Sequence, residues 1–293
     1  MTGTTPQGEL HPGVAARAVR ALRGLRHLRG WGSLANRLAG PTGNFRVAND
    51  GVWVEGELNS FVERQAYLFG GYERDEIAAF LSRIPANRRR TILDIGANVG
   101  THALQFSRAF TQVHSFEPNP LVFGRLQRNL ALNRATNVAP HQLGLGAEPG
   151  SFQLYSPAGD NGGLGTLVTT DQYDAPLEAV ATVQVEQGDA LLTRLNVGPI
   201  DAIKCDVQGF EISVLQGLQE TIRRDRPVLW IELGGGARIA PDEAAQIVAL
   251  APERSRFYRI AGVRHGATHG IALHESAPDA LMGGDYVIVP DPA

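Results

Sequence analysis

From residue 88 onward, short apolar runs alternate with stretches in which apolar residues recur every three or four positions. Unbroken apolar runs of strand length predict buried strands, and a period near 3.6 residues predicts helices with one buried face. The predicted strands are residues 91–96, 112–118, 137–146, 181–187, 201–207, 226–233, 256–262 and 285–290. Four helices are predicted in this region. One begins near Thr101, and a second contains Val122, Leu126 and Leu130. A third contains Phe210, Val214, Leu218 and Ile222, and the fourth covers residues 242–250.

This alternation predicts an α/β fold with a mostly parallel sheet covered by helices on both faces. Residues 201–207 are expected beside residues 91–96, across the point where the strand order reverses. Pro140 weakens the strand over 137–146, and residues 181–187 are expected at a sheet edge. The glycine-rich stretch 150–165 predicts a loop with hairpin edges.

The pattern before residue 88 is different. β-Branched and aromatic residues flank Asn49-Asp50-Gly51, which predicts a hairpin over residues 44–57. A helix is predicted over 75–84, ended by Pro85. We therefore expect residues 1–87 to form a helical and hairpin extension with a lid-like subdomain, and residues 88–293 to form the main α/β domain.

The first forty residues are basic, with one acid, Glu9. Arginine stands at positions 17, 20, 23, 26, 29 and 37, and apolar residues recur every third position from Val19 through Leu22, Leu25 and Leu28 to Leu34. On an α-helix a strict three-residue repeat drifts around the cylinder and marks no single face. A locally packed helix or a basic arm is therefore favoured over weak contact with a membrane surface or a partner.

Composition narrows the class of protein. The chain has 293 residues, 43% hydrophobic and 19% charged, with a formal net charge of -3. This is typical of globular proteins and gives no argument for nucleic-acid binding. The single cysteine, Cys205, allows no intrachain disulfide and is expected in the core. Without a membrane-length apolar run or a signal-peptide core, a cytoplasmic enzyme is expected, of open oligomeric state.

Candidate chemistry begins at "DIGANVG", Asp94 to Gly100, in a predicted strand-to-helix turn. Gly96 and Gly100 allow a tight turn and a close approach to a ligand, and the free N–H groups of the helix start can bind a polar group. Glu117 ends the next predicted strand, where an acid can accept hydrogen bonds from ribose hydroxyls. Together these features predict a ligand that carries adenosine; glycines placed by chance are the alternative.

The glycine spacing bears on the kind of cofactor. A dinucleotide site would have G-x-G-x-x-G, whereas this turn reads G-x-x-x-G with Asp94 beside it. A carboxylate there would repel a pyrophosphate and suits the ammonium group of S-adenosylmethionine. An NAD-dependent oxidoreductase is therefore disfavoured. No zinc motif is present, and Mg²⁺ is possible but not supported.

Four segments carry a family resemblance: residues 91–110, 113–133, 200–218 and 226–233. In this order and spacing they resemble the FkbM-type S-adenosylmethionine-dependent methyltransferases, which have a Rossmann-like class I methyltransferase sheet and act mainly on hydroxyls of sugars and of glycosylated or polyketide products. The likeness also includes "LFGGYE" at 68–73 and "GDNGGLGTL" at 159–167.

The resemblance implies roles for particular residues. Gly96, Asn98 and Gly100 would line the methionine end of the cofactor with Asp94 nearby, and Glu117 would hold the ribose. The family's acid after the third strand is replaced by Ala147, for which Glu148 is a possible substitute. The family pattern D-x-E-G-x-E reads "DVQGFE" here, so Gln208 stands where a glutamate is usual.

Transfer of a methyl group to a hydroxyl needs a base or a metal, expected at the carboxyl ends of the strands. Asp206 at the end of residues 201–207 is the leading candidate, with an ion pair to Lys204 or a helix cap as the alternative. Glu211 and Glu232 are further catalytic candidates; Glu211 could instead be an acid that stabilises the start of its helix, and Glu232 could have a structural role. Gln208 is expected to orient the acceptor or cofactor while Asp206 acts.

Several polar residues could bind the cofactor or acceptor. His102 starts a predicted helix and is a candidate for cofactor contact, while Glu73 could close over the site or cap the following helix. Asn161, with Gly162 and Gly163, lies in the insertion expected to cross the top of the sheet. His265, His269 and His274 are expected in a mobile, solvated tail, with a position on the acceptor side as the alternative.

These observations predict an S-adenosylmethionine-dependent O-methyltransferase that acts on a sugar hydroxyl of a glycan, glycolipid or glycosylated metabolite. The alternative is a catalytically impaired protein of the same fold that binds the cofactor as a scaffold, because Gln208 cannot take a proton.

Overall fold

The computed structural model describes residues 12–157, 165–168, 176–234, 239–265 and 268–292. The α-helices in this part are α1 (Val14–Ala21), α2 (Trp31–Ala39), α3 (Phe61–Phe69), α4 (Arg74–Ser82), α5 (Thr101–Phe106), α6 (Pro120–Asn133), α7 (Gly188–Arg194), α8 (Glu211–Gly217), α9 (Gln219–Asp225) and α10 (Pro241–Leu250). Short 3₁₀ helices cover Arg23–His27, Ala86–Arg88 and Pro278–Ala280. The strands are β1 (Asn44–Asn49), β2 (Val52–Glu57), β3 (Thr91–Ile95), β4 (Gln112–Phe116), β5 (Val138–His141), β6 (Gly144–Gly146), β7 (Gly150–Pro157), β8 (Leu177–Gln187), β9 (Ala202–Cys205), β10 (Val228–Leu233), β11 (Ser255–His265), β12 (Thr268–Ser276) and β13 (Gly284–Pro290).

Eight strands form the central sheet in the order β12-β11-β13-β10-β9-β3-β4-β5. The strands from β10 to β5 are parallel, and β13, β11 and β12 add an antiparallel edge. β3 lies between β4 and β9, so the strand order reverses beside β3 as predicted. In this register Asp94 lies opposite Ser115 on one side and Lys204 on the other.

Two apolar cores cover the two faces of this sheet. Ile92 packs into a core with residues of α3 to α6, and the next residue, Leu93, packs into a core with residues of α7 to α10. Successive side chains of a strand point to opposite faces, so this division follows from the unbroken apolar run in β3. The predicted α/β fold with helices on both faces is confirmed.

A second sheet of three strands, in the order β6-β8-β7, differs from the sequence prediction. Residues 137–146, predicted as one strand, divide into β5 at the edge of the central sheet and β6 in the second sheet. An edge tolerates Pro140, which has no N–H to donate. The prediction that residues 181–187 form an edge strand is wrong, because β8 is the middle strand between β6 and β7.

The N-terminal part contains the predicted hairpin of β1 and β2 and the predicted helix α4, whereas α3 was not predicted. The hairpin is fixed to α6 by side-chain amides. The oxygens of Asn133 and Asn129 accept hydrogen bonds from the backbone N–H of Trp53 at 2.7 Å and of Glu55 at 2.8 Å. Residues before and after position 87 share one apolar core, and a domain division there stays a prediction.

The C-terminal part contains the two predicted strands as β11 and β13, and β12 pairs with β11 as an additional hairpin strand. His269 and His274 lie on β12 with exposed side chains, so their predicted solvation is confirmed and their mobility stays a prediction. Over the described ranges, no helix is long and apolar enough to span a bilayer.

Candidate functional site

A cavity lies at the carboxyl ends of β3, β4 and β9. Its polar lining comes from residues near those strand ends, namely Asn98, Thr101, His102, Glu117, Lys204, Asp206 and Gln208. Its apolar lining includes Phe116, Leu145 and Phe210. Ligands of open α/β sheets bind at this place because the connections diverge where the strand order reverses.

The glycine turn after β3 serves the packing of the protein itself. Gly96 has φ +77°, and a Cβ there would lie 1.8 Å from the carbonyl oxygen of Asp206. Gly100 has φ +88°, and a Cβ there would lie 2.5 Å from Leu126 Cδ1 on α6. Gly96 lines the cavity, whereas Gly100 is not among the residues that line it. The expected ligand approach at Gly100 is thus replaced by helix packing.

Glu117 is buried just after the end of β4 and lines the cavity. Its Oε2 accepts a hydrogen bond from the N–H of Asn98 at 3.0 Å, and its Oε1 accepts one from the N–H of Asn119 at 2.8 Å. A carboxylate oxygen has two lone pairs, so each oxygen can accept another bond. Burial raises the pKa of Glu117 to about 7, although the two hydrogen bonds from N–H groups stabilise the carboxylate and act to lower it.

Two buried polar groups near the cavity have no hydrogen-bond partner among the described residues. One is the hydroxyl of Thr101 in the cavity wall, and the other is the carboxyl group of Asp94, which does not line the cavity and lies opposite the buried hydroxyl of Ser115. Burial raises the pKa of Asp94, against the charge of Lys204. Unsatisfied buried polar groups cost free energy and commonly mark a ligand site. The residues present therefore fit a polar ligand.

Asp206 lies in a network at the end of β9. Lys204 Nζ lies 3.1 Å from Asp206 Oδ2 and also donates to the carbonyl oxygen of Gly96 at 3.3 Å. The Gln208 amide nitrogen donates to Asp206 Oδ1 and to Glu232 Oε2, both at 2.8 Å. Asp206 thus forms the ion pair considered as an alternative to a catalytic role, and it also lines the cavity.

The network separates the protonation of its two carboxyl groups. Burial alone would raise the pKa of Asp206, but the Lys204 ammonium and the hydrogen bond from Gln208 hold it below its usual range. Burial and the nearby charge of Asp206 raise the pKa of Glu232 well above its usual range. Asp206 is therefore the carboxyl group of the two that favours the ionised form, and Glu232 is the one that favours the protonated form.

Glu211, expected as a catalytic candidate, does not line the cavity. Its carboxylate accepts hydrogen bonds from the N–H groups of Val207 at 3.0 Å and Gly209 at 3.0 and 3.1 Å. Between them Gln208 has φ +55°. Glu211 therefore holds the loop that carries Gln208, and the sequence could not separate this task from catalysis.

Glu73 and His102 form a pair beside the cavity. Glu73 Oε2 lies 3.0 Å from His102 Nε2, and His102 is a buried cavity residue. The ring of Tyr72 meets that of His102 edge to face at 5.7 Å. Glu73 stands at the N-cap position of α4, but its side chain makes no cap hydrogen bond. Its side chain therefore lies towards the site and does not cap the helix.

The remaining predicted residues, and one residue to which sequence reasoning assigned no role, have the following positions. Asn161, Gly162 and Gly163 lie outside the described residues. Glu148 is exposed and absent from the cavity wall, so it does not replace the missing acid at Ala147. Sequence reasoning gave no site role to Lys204, although residues i and i+2 of a strand share a face and Asp206 was the leading candidate. Cys205 is buried, as predicted.

A second cavity adjoins the first at Tyr72, which lines both. It lies between residues 26–32, α3, the loop before α4 and β12, and its lining includes Arg26, Phe61, Gln65, Glu73 and His269. Among the described residues, no group of three or more His, Cys, Asp or Glu side chains could hold a metal ion.

Comparison with known proteins gives a family and several relatives. The family model described as "Methyltransferase FkbM domain" matches residues 94–259. "Hexuronic acid methyltransferase AglP" of Haloferax volcanii is 29% identical over 180 residues, which cover 61% of this chain and 69% of that protein. "Methyltransferase 1" of Beauveria bassiana is 32% identical over 145 residues, which cover 44% of this chain and only 58% of that protein.

Among solved structures, the chain is similar to a methyltransferase FkbM from Methylobacillus flagellatus. The identity is 20% and the TM-score is 0.42, over 68% of this chain and 44% of that one. A likeness this weak adds no argument about the site or its substrate.

Proposed function

The chain belongs to the FkbM methyltransferase family, and from that premise we propose that it transfers a methyl group from S-adenosylmethionine to a sugar hydroxyl of a glycan, glycolipid or glycosylated metabolite. The observation that carries the choice of cofactor is the cavity at the ends of β3 and β4. It combines the carboxylate of Glu117 with the unsatisfied hydroxyl of Thr101, in front of the buried carboxyl group of Asp94.

Glu117 would accept hydrogen bonds from the ribose hydroxyls of the cofactor, since both of its oxygens keep a lone pair. Thr101 would satisfy its hydroxyl on the part of the cofactor nearest β3, with the buried carboxyl group of Asp94 nearby, and Phe116 and Leu145 would contact the base. The cofactor supplies an electrophilic methyl group. The absence of G-x-G-x-x-G disfavours NAD.

Asp206 would act on the acceptor. An alcohol must lose its proton as its oxygen forms the bond to carbon, and of the two carboxyl groups in the network Asp206 is the one whose pKa is lowered, which favours the form that can accept a proton. A base this weak accepts the proton late, when the oxygen already carries positive charge. Lys204 and Gln208 would hold the carboxylate in position, and most of the rate would come from alignment.

The acceptor would enter from the second cavity. Phe61 and Tyr72 offer aromatic surface there, and Gln65 and Asp75 offer hydrogen bonds, which is a lining suited to sugars. A hexuronic acid is named for the relative AglP, and that name supports the sugar class. The Glu73–His102 pair at the junction would order the acceptor beside Asp206.

The scaffold alternative depends on Gln208, and the hydrogen bonds of its amide weigh against it. The two bonds connect Asp206 with Glu232, a task that a charged glutamate could not perform. We therefore favour turnover with glutamine at this position.

Mass spectrometry of glycans and glycolipids tests the proposal. The extracts would come from the wild type, from a deletion strain and from the deletion strain that carries Asp206→Asn. We expect one sugar to lose a single methylene mass in the deletion strain and to stay unmethylated with the variant. Unchanged sugars, combined with tight binding of S-adenosylhomocysteine by the purified protein, would favour the scaffold.

A further inference from the structure

Residues 12–40, here called the basic segment, contain six arginines and no acid. The side chains of Arg23 and Arg29 are exposed, and neither guanidinium group makes a hydrogen bond or an ion pair within the described ranges. The segment is thus a concentration of positive charge on a chain whose formal net charge is -3. Such a local excess of positive charge attracts anionic partners.

The apolar repeat of the segment follows its backbone hydrogen bonds. Leu22 N donates to Val19 O, Leu25 N to Leu22 O, Leu28 N to Leu25 O and Trp31 N to Leu28 O, at 2.8–3.1 Å. Arg23–His27 is a 3₁₀ helix, in which residues i and i+3 align in one row. Over Leu22 to Leu28 the three-residue repeat therefore marks one face, whereas Val19 on α1 is buried, so the repeat over the whole segment marks no single face.

The row of leucines lies at the surface. Leu22, Leu25 and Leu28 are 50%, 37% and 39% exposed. Arg23 and Arg26 follow Leu22 and Leu25 by one residue each and form the neighbouring row of the 3₁₀ helix, and Arg29 follows Leu28 just beyond its end. Leu34 and Leu38 of α2 add further exposed apolar surface at 48% and 52%. Apolar and cationic rows side by side are the pattern of helices that lie in a membrane interface.

The opposite side of the segment is fixed to the protein. Ala16 and Val19 are buried, and the Arg20 guanidinium donates to the carbonyl oxygen of Tyr67 and, at 2.8 Å, to Asn49 Oδ1. The exposed rows are therefore presented by an ordered element. Arg26 and His27 also line the second cavity, so that cavity lies beside the same surface.

We propose that the basic segment docks on an anionic lipid surface, with the leucine row in the interface and the arginines at the headgroups. A nucleic acid fits less well, because the exposed leucines would face phosphates and water, whereas nucleic-acid interfaces are polar. Docking would bring the second cavity to the headgroups, so that an acceptor attached to a lipid could enter; this last consequence rests on the proposed function.

Flotation of the full chain with liposomes tests the docking. The liposomes would be phosphatidylcholine alone and phosphatidylcholine with 30% phosphatidylglycerol, in low salt and in 0.5 M salt. We expect binding only to the anionic liposomes and weaker binding in high salt, because salt screens the charges. The assay needs no enzymatic activity, so its failure would leave the proposed function standing.

Matched variants assign the binding to the segment. Arg23→Gln with Arg29→Gln should weaken the affinity for anionic liposomes by about thirtyfold, since each arginine near such a surface contributes a similar factor of about five. Leu25→Gln should weaken it without a change of charge. Arg194→Gln with Arg224→Gln removes two exposed arginines elsewhere and should have little effect.

Three outcomes would overturn the proposal: equal binding to both kinds of liposome, unchanged binding by the arginine pair, and an equal loss in the control pair. A chain that does not bind liposomes but binds RNA through the same arginines would also overturn the proposal, in favour of a nucleic-acid partner. Circular dichroism of each variant, with the wild-type spectrum expected, separates lost docking from lost folding.

Discussion

The substitution Gln208→Glu tests how the site keeps two carboxyl groups together. The Gln208 amide nitrogen donates one hydrogen to Asp206 and one to Glu232, each over 2.8 Å. A glutamate of the same size has at most one hydrogen to donate, and only when it is protonated. At least one of the two bonds is lost, and a bond to a charged group contributes about 1.5–3 kcal/mol. We expect a loss of this size in the free energy of unfolding at pH 7.

The loss should depend on pH. Asp206 raises the folded-state pKa of the introduced carboxyl group above its unfolded value of about 4.3. A group with a raised folded pKa stabilises most below its unfolded pKa, and that contribution is lost as the pH rises through the folded value. The stability difference between the variant and the wild type should therefore grow from pH 5 to pH 8.

Urea denaturation at pH 5, 6, 7 and 8 measures this difference. Gln208→Met is the matched control, because it removes both donors and adds no titratable group, so its loss should change much less with pH. Equal stability of Gln208→Glu and the wild type at pH 8 would refute the reasoning. A large gain of methyl transfer in Gln208→Glu, with no loss in Asp206→Asn, would reverse the assignment of the base.

Three further outcomes are expected. Gly96→Ala and Gly100→Ala both place a Cβ on a left-handed backbone, which costs about 1–2 kcal/mol. Only the Cβ of Gly96→Ala meets a carbonyl oxygen, so its loss of unfolding free energy should reach about 3 kcal/mol or more. Equal losses for the two variants in urea denaturation would contradict this. Lys204→Met removes the cation beside Asp206 and should move the acid limb of the kcat/KM profile for methyl transfer up by roughly one to three pH units; an unmoved limb would exclude Asp206 as the base. The affinity for S-adenosylhomocysteine should rise by up to about tenfold from pH 6 to pH 8, because Glu117 ionises around its pKa of about 7. Glu117→Gln should abolish this rise. A rise of the same size in the variant would exclude Glu117 as its source.

The meeting of Gly96 and Glu117 at one cavity could be predicted from the sequence because its signals are local. The turn after β3 and the acid after β4 each lie within a few residues of a strand end. Parallel strands bring their carboxyl ends to one edge, so Gly96 and Glu117 had to be neighbours once the strands were known.

The rest of the site depends on contacts between residues far apart in the chain. The need for glycine at position 96 comes from the carbonyl oxygen of Asp206, about a hundred residues later. Asp206 and Glu211 are both acids near one strand end, and only the fold of their loop directs one to the cavity and the other to backbone N–H groups. The middle position of β8 was equally hidden, because alternation shows a strand but not its partners.

Isothermal titration with S-adenosylhomocysteine and with NAD tests the central claim most directly. We expect S-adenosylhomocysteine to bind the wild type, Glu117→Ala to bind it much more weakly, and NAD to produce no heat of binding. Binding of NAD without binding of S-adenosylhomocysteine would contradict the assignment of the cavity to a methyl donor.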